Sequence, residues 1–257
     1  MPFRIDRYSL STVPLEQRFD DQPIGNATGF IWKMQGKFYL VTNWHVITCR
    51  RFPSKENLLK HGGRPNNFRA LFNIRQQDIG KVSETIRVRD DDGNPLWFVH
   101  PARNADVVVL PLPYDGNEVA FNLHPINAVS DPNLYVGIGM DVFILGYPFG
   151  AAPPAYPVWK RGSIASEPEL SRITTDYMLV DTASRPGMSG APVIARSWSH
   201  HLYDDGSFSV DGSAASKFVG IYSGRFPTRF RDEAQIGMVW SPFLIEEIII
   251  GHTRDTD

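Results

Sequence analysis

Short apolar runs rich in Val, Ile, Phe and Tyr alternate along this chain with turn-forming residues, from near the N-terminus to near the C-terminus. In the first half the runs fall at 29–32, 38–42, 68–74, 85–89, 96–100 and 107–112; in the second they fall at 142–147, 158–164, 177–181, 191–194, 217–222 and 237–240. A dozen short strands with little convincing helix between them predict an all-β sandwich or barrel pair rather than βαβ units. Turn chemistry marks the strand ends: Met34-Gln35-Gly36-Lys37 suits a hairpin, and Asp91-Asp92-Gly93-Asn94-Pro95 suits another. The stretch 122–133, with two prolines and several polar residues, predicts the connection between two halves, a first unit over 1–125 and a second over 126–257. Ser241-Pro242 ahead of 243–250 predicts an N-cap, a proline at the first helical position and a short closing helix at about 242–250, ended by Gly251. Residues 50–67 are expected as a polar loop, and 197–213 as an exposed insertion between two strands.

Composition narrows the classes of function. Hydrophobic residues are 42% of the chain and charged residues 21%, ordinary globular usage that excludes disorder and a fibrous repeat. A net charge of −2 provides no global field for nucleic acid or an anionic membrane, and neither is expected as a partner. The single cysteine, Cys49, rules out an intramolecular disulfide. The N-terminal residues are charged throughout and lack an apolar signal core, and the apolar stretch 243–250 contains Glu246 and Glu247 and is too short to span a bilayer. A soluble, cytoplasmic protein is the expectation.

Three separated segments carry candidate chemistry. In Val41-Thr42-Asn43-Trp44-His45-Val46-Ile47 a strand runs into a histidine within a short helical turn; Asn104-Ala105-Asp106-Val107-Val108 sets an aspartate at the mouth of an apolar strand; Arg185-Pro186-Gly187-Met188-Ser189-Gly190-Ala191-Pro192-Val193 is a loop passing into a strand. A serine hydroxyl is a weak nucleophile and needs an adjacent base. Histidine, with an ordinary pKa of about 6.5, accepts the proton during attack and returns it to the leaving group. A carboxylate on the second ring nitrogen fixes the tautomer and stabilises the imidazolium. These roles fall to Ser189, His45 and Asp106. Gly187 and Gly190 lack Cβ atoms, so the loop is free to fold tightly and aim the N–H groups of Gly187 and Ser189 at a developing oxyanion.

In this order the segments resemble the trypsin-like or chymotrypsin-like serine proteases, and most closely the disulfide-free HtrA-type branch. Further matching stretches are His100-Pro101, Val142-Phe143-Ile144-Leu145-Gly146-Tyr147-Pro148-Phe149-Gly150, Arg161-Gly162-Ser163-Ile164-Ala165-Ser166 and Val219-Gly220-Ile221-Tyr222-Ser223. The resemblance spans roughly residues 28–251. It implies two six-stranded antiparallel β-barrels with a His-Asp-Ser triad in the cleft between them, a serine endopeptidase acting through an acyl-enzyme on protein or peptide substrates, and no cofactor or metal. It also implies a specificity pocket bordered by Ala183, Ser223, Gly224 and Arg225. Arg225 either reaches toward that pocket, where it would favour an acidic side chain, or points into solvent. In digestive members an aspartate directly precedes the nucleophile and pairs with a newly cut N-terminus; here Met188 holds that position, so activation by that salt bridge is not expected. A second reading is a non-cleaving or latent binding module awaiting a partner, but its usual mark, a missing triad member, is not present.

Simpler readings compete for other residues. Cys49 is expected as a small core residue rather than a nucleophile. Asp90-Asp91-Asp92-Gly93-Asn94 lacks the closing glutamate of a calcium loop and reads as a solvated turn. His200 and His201, being adjacent on a strand, point to opposite faces rather than to one metal. Ser184 lacks flanking glycines, and Arg225, Arg229 and Arg231 read as surface charge.

Overall fold

A computed structural model describes residues 5–60, 62–75, 79–118, 120–150, 155–183, 185–225 and 235–256. The class is all-β, as expected. Eight strands precede residue 125: β1 (Thr12–Phe19), β2 (Gln22–Met34), β3 (Lys37–Thr42), β4 (Asn67–Ile74), β5 (Lys81–Arg87), β6 (Phe98–Val99), β7 (Val108–Pro111) and β8 (Phe121–Asn122). Seven follow, the first six being β9 (Asp141–Gly146), β10 (Val158–Ile164), β11 (Tyr177–Asp181), β12 (Pro192–Leu202), β13 (Phe208–Arg225) and β14 (Ile236–Trp240). These six close on themselves as a barrel in the order β10-β11-β14-β13-β12-β9. The first sheet carries nine strands rather than six: β1 to β7 make seven, β8 pairs with β4, and a last strand, β15 (Thr253–Arg254), returns to the edge beside β6.

Period-two alternation explains how the two sheets share one interior. Phe38 and Leu40 of β3 point into the core of the first sheet, whereas Tyr39 and Val41 point into a second core between the sheets. In β7, Val108 and Leu110 join the first core and Val109 the second; in β9, Val142 and Ile144 fill the barrel while Leu145 joins the core between the sheets. Strands covered on both faces read as continuous apolar runs, which is why these stretches stand out in the sequence. Each fully buried aliphatic side chain contributes about 1.5–3 kcal/mol.

The two ends of the chain cross between the sheets. A short helix, α1 (Arg7–Ser11), is capped by the Asp6 carboxylate, which accepts from Tyr8 N at 2.9 Å and also holds Arg196 of β12 at 3.0 Å. Tyr8 donates its hydroxyl to Ser216 O of β13, and Trp159 of β10 donates to Ser9 Oγ at 2.8 Å. The N-terminal segment is thus fastened to the barrel before β1 enters the first sheet. At the other end, the closing helix lies over β6 and β7 of the first sheet and leads into β15. This helix, numbered after α2 (Trp44–Thr48) and α3 (Pro168–Thr174), is α4 (Phe243–Gly251). It starts one residue later than expected: Pro242 rather than Ser241 occupies the cap, and Ser241 makes no side-chain cap. The left-handed residue that ends it is His252, φ 49°, not Gly251, and the His252 ring lies 4.2 Å from that of Phe98.

The hairpin at 34–37 forms as expected, with Gln35 and Gly36 both at positive φ, the backbone that suits a tight β-turn. The expected insertion at 197–213 is instead the outer part of one long β12–β13 hairpin, with a bulge at Ser199. Helix α3 was not expected; none of its residues is buried, and its apolar Leu170 and Ile173 are exposed. Among the described residues no helix is long and apolar enough to cross a membrane.

Candidate active site

His45 stands on α2, the turn that follows β3 directly. Trp44, Val46 and Ile47 face the cores, and Thr48 Oγ1 donates back to Trp44 O at 2.9 Å, so the helix presents its one half-exposed side chain, His45, to the opposite side. Trp44 Nε1 donates to Asp255 Oδ2 at 2.7 Å, and Trp97 Nε1 reaches the same oxygen at 3.0 Å. The residue after β15 therefore anchors the histidine helix.

Asp106 lies just before β7 with its side chain 2% exposed. Its Oδ1 accepts from the main-chain N–H of His45 at 2.9 Å, and its Oδ2 lies 2.6 Å from His45 Nδ1. Ser223 at the end of β13 donates its hydroxyl to the same Oδ2, and Asn43 Nδ2 donates to Asp106 O at 2.7 Å. An ionised carboxylate only accepts, so Nδ1 carries the ring proton and Nε2 is left with the basic lone pair.

The loop 185–191 holds Ser189 between β11 and β12. Gly187, φ 92°, is required by space as well as by backbone: a Cβ there would lie 2.2 Å from Tyr147 O. At Gly190, φ 82°, a Cβ would lie 2.0 Å from Thr28 O and 2.3 Å from Thr42 Oγ1. Met188, at the position discussed above, is 1% exposed and packs in the barrel core, so burial rather than an ion pair anchors the loop there. The Ser189 hydroxyl sits near the end of β13, 3.7 Å from where a Cβ on Gly224 would be. Ser189 is thereby adjacent to the strand whose Ser223 holds Asp106. Among the described residues the N–H groups of Gly187 and Ser189 donate to no acceptor, and no hydrogen bond joins Ser189 to His45.

The remaining candidates separate as follows. Ala183 is half-buried just past β11, and Gly224 is half-buried with φ 93°. The side chain of Arg225, and all of Ser184, Arg229 and Arg231, lie outside the described residues. Cys49 is buried, accepts a contact from Gln17 Nε2 at 3.2 Å, and its thiol is pushed up to about 11 by burial. Native protein is expected to resist iodoacetamide at pH 8, with alkylation appearing only as urea unfolds it; mass spectrometry across the urea transition measures this. The native chain keeps a proton that the unfolded chain releases, so this contribution to stability is full below the free-thiol value of about 8.5. It is lost as pH rises toward about 11. Asp90 spends its carboxylate on Asp92 N, Asn94 N and Asn94 Nδ2 within its own turn. His200 is exposed while His201 is buried, bonded to Ser197 Oγ and Asp211 Oδ1.

Sequence reasoning missed Thr28, Thr42 and Asp255, and gave Ser223 to the substrate rather than to Asp106. Thr28 and Thr42 are fully buried polar residues, and Thr42 Oγ1 donates to Thr28 O at 2.8 Å. Their only signal was position, one just before the apolar run 29–32 and one two residues before α2.

A search of solved structures finds the serine endoprotease from Yersinia pestis, with a TM-score of 0.50 and 16% identity, covering 98% of this chain and 67% of that one. It also finds the Rv3671c protease from M. tuberculosis in its active form, with a TM-score of 0.49 and 15% identity, covering 95% of this chain and 81% of that one. At such identity the Yersinia likeness is one of fold alone. Among curated proteins no match is found. The model of the trypsin-like peptidase domain matches residues 27–200, which include His45, Asp106 and Ser189, and the chain belongs to that family.

Proposed function

We propose that the chain is a serine endopeptidase in which Ser189 attacks a peptide carbonyl, His45 moves the proton and Asp106 holds His45. The observation that carries this reading is the two-point grip of a buried carboxylate on His45, at its main-chain N–H and at Nδ1. That grip fixes both the ring's orientation and its tautomer. In the first half of the reaction the Ser189 Oγ–C bond forms while Nε2 takes the hydroxyl proton. The negative charge on the former carbonyl oxygen is met by the N–H groups of Gly187 and Ser189. Collapse of this intermediate breaks the C–N bond, and the leaving amine takes the proton from Nε2. Water, deprotonated by the same nitrogen, then adds to the ester carbonyl; the Ser189 Oγ–C bond breaks, Oγ takes the proton back from Nε2, and the acid product leaves. Among the described residues the N–H groups of Gly187 and Ser189 donate to no acceptor, which supports the oxyanion role. The open Ser189–His45 contact fits a resting site, since such bonds often tighten only in the substrate complex.

A fluorophosphonate tests the reading. Wild-type protein is expected to gain one adduct, mapped by mass spectrometry to Ser189, and Ser189→Ala none. A folded wild-type sample that stays unlabelled at long incubation contradicts it.

A further inference from the structure

The carbonyl groups of four consecutive residues in the nucleophile loop are each held by a donor. Pro186 O accepts from Phe149 N at 3.1 Å, Gly187 O from Thr28 Oγ1 at 2.7 Å, Met188 O from Ala191 N at 3.1 Å, and Ser189 O from Thr28 N at 2.9 Å. In a planar trans peptide the C=O and N–H of one unit point in opposite directions. Holding Pro186 O therefore turns the Gly187 N–H away from the Phe149 turn, and holding Met188 O turns the Ser189 N–H away from Ala191. Thr28 fixes the two units that alternate with these. Its hydroxyl also accepts from Tyr147 N at 3.2 Å, the first residue of the turn that carries Phe149. That turn is closed by Gly150 N donating to Tyr147 O at 3.1 Å. One fully buried hydroxyl thus connects β2, the turn after β9 and the nucleophile loop, with its donor and one acceptor position both used.

We propose that the hydroxyl of Thr28 is a positioning residue for peptide hydrolysis: it sets the loop 186–189 so that the N–H groups of Gly187 and Ser189 face the oxyanion, without touching substrate. The inference rests on the peptidase reading above. Thr28 N–H and O are main-chain groups and survive substitution, so the side chain is separable from the strand. Thr28→Val keeps shape and β-branching but leaves Gly187 O and Tyr147 N without a partner, whereas Thr28→Ser restores the hydroxyl.

The test compares wild type, Thr28→Val and Thr28→Ser by kcat and KM on a chromogenic peptide, with active sites counted by fluorophosphonate titration and folding followed by thermal melts. Per titrated site, Thr28→Val is expected to lose about 10- to 100-fold in kcat with KM within about twofold, because oxyanion donors act in the transition state. Affinity for a peptide aldehyde, which forms an oxyanion on Ser189, is expected to fall in parallel, and Thr28→Ser to recover most of both. A purely structural role would lower the melting temperature and the number of titrated sites while leaving kcat per site unchanged; that result overturns the inference, as does a serine variant as slow as the valine one. Should Thr28→Val not fold, Thr28→Ala is read by the same criteria. A wild type that neither labels nor turns over overturns the peptidase reading itself, whereas a labelled wild type with an indifferent Thr28→Val overturns only the role of Thr28.

Discussion

Asp106→Asn is expected to lower kcat by about 10,000-fold while leaving the chain folded. The carboxylate accepts from His45 N, His45 Nδ1 and the Ser223 hydroxyl in a site that water scarcely reaches. An asparagine of nearly the same shape has one accepting oxygen and one donating nitrogen. If the nitrogen faces Nδ1, the ring must carry its proton on Nε2, and the base that Ser189 needs is gone. If the oxygen faces Nδ1, the amide nitrogen is set against the His45 main-chain N–H, and the grip on the helix is lost. Either arrangement leaves a buried donor unmatched. Steady-state kinetics on a peptide substrate, together with a thermal melt to show that the protein is folded, measures the effect; a variant within tenfold of wild type would contradict the role given to Asp106.

Gly190→Ala is expected to cost about 2–5 kcal/mol of stability, the sum of left-handed backbone strain and overpacking. The added methyl would meet Thr28 O at 2.0 Å, and that carbonyl cannot retreat because β2 and the Thr42 hydroxyl hold it. Gly206→Ala is the control: φ is similar, 80°, but nothing lies within 4 Å of the new Cβ, so only the backbone strain of about 1–2 kcal/mol applies. Urea midpoints of the two variants separate strain from space. Equal losses would mean that the nucleophile loop does not press on β2 as described.

Much of this arrangement was legible in the sequence, for identifiable reasons. Strands β3, β7 and β9 are covered on both sides and so announce themselves as apolar runs, and the Gln35-Gly36 turn permits little but a tight hairpin. Strand β1 was missed because Gln17 takes a core-facing position and Pro14 interrupts the run, although Val13 and Leu15 are core residues. Pro14 is tolerated because β4 begins to pair only at Leu15, so no partner on that side loses a ladder bond. Helix α3 offered Pro168 as a start signal, but a seven-residue helix with no buried face carries no core-facing period. At the proposed site, His45, Asp106 and Ser189 stand out in the sequence because the proposed chemistry needs those residue types. Thr28 does not, because a buried threonine bonded to main-chain groups looks like any strand residue until the loop it holds is in place. The crossing of the chain ends, through Tyr8 at one end and Asp255 at the other, depends on pairings more than 150 residues apart that no local pattern carries.

The most direct measurement is a crystal structure of the chain carrying a peptide phosphonate. The expected result is a bond from phosphorus to Ser189 Oγ, one phosphonyl oxygen within about 3.1 Å of both Gly187 N and Ser189 N, and His45 Nε2 within hydrogen-bond reach of the Ser189 oxygen. A phosphonate bound elsewhere, or an adduct at Ser189 with His45 Nε2 out of reach and the phosphonyl oxygen facing neither N–H, would contradict it.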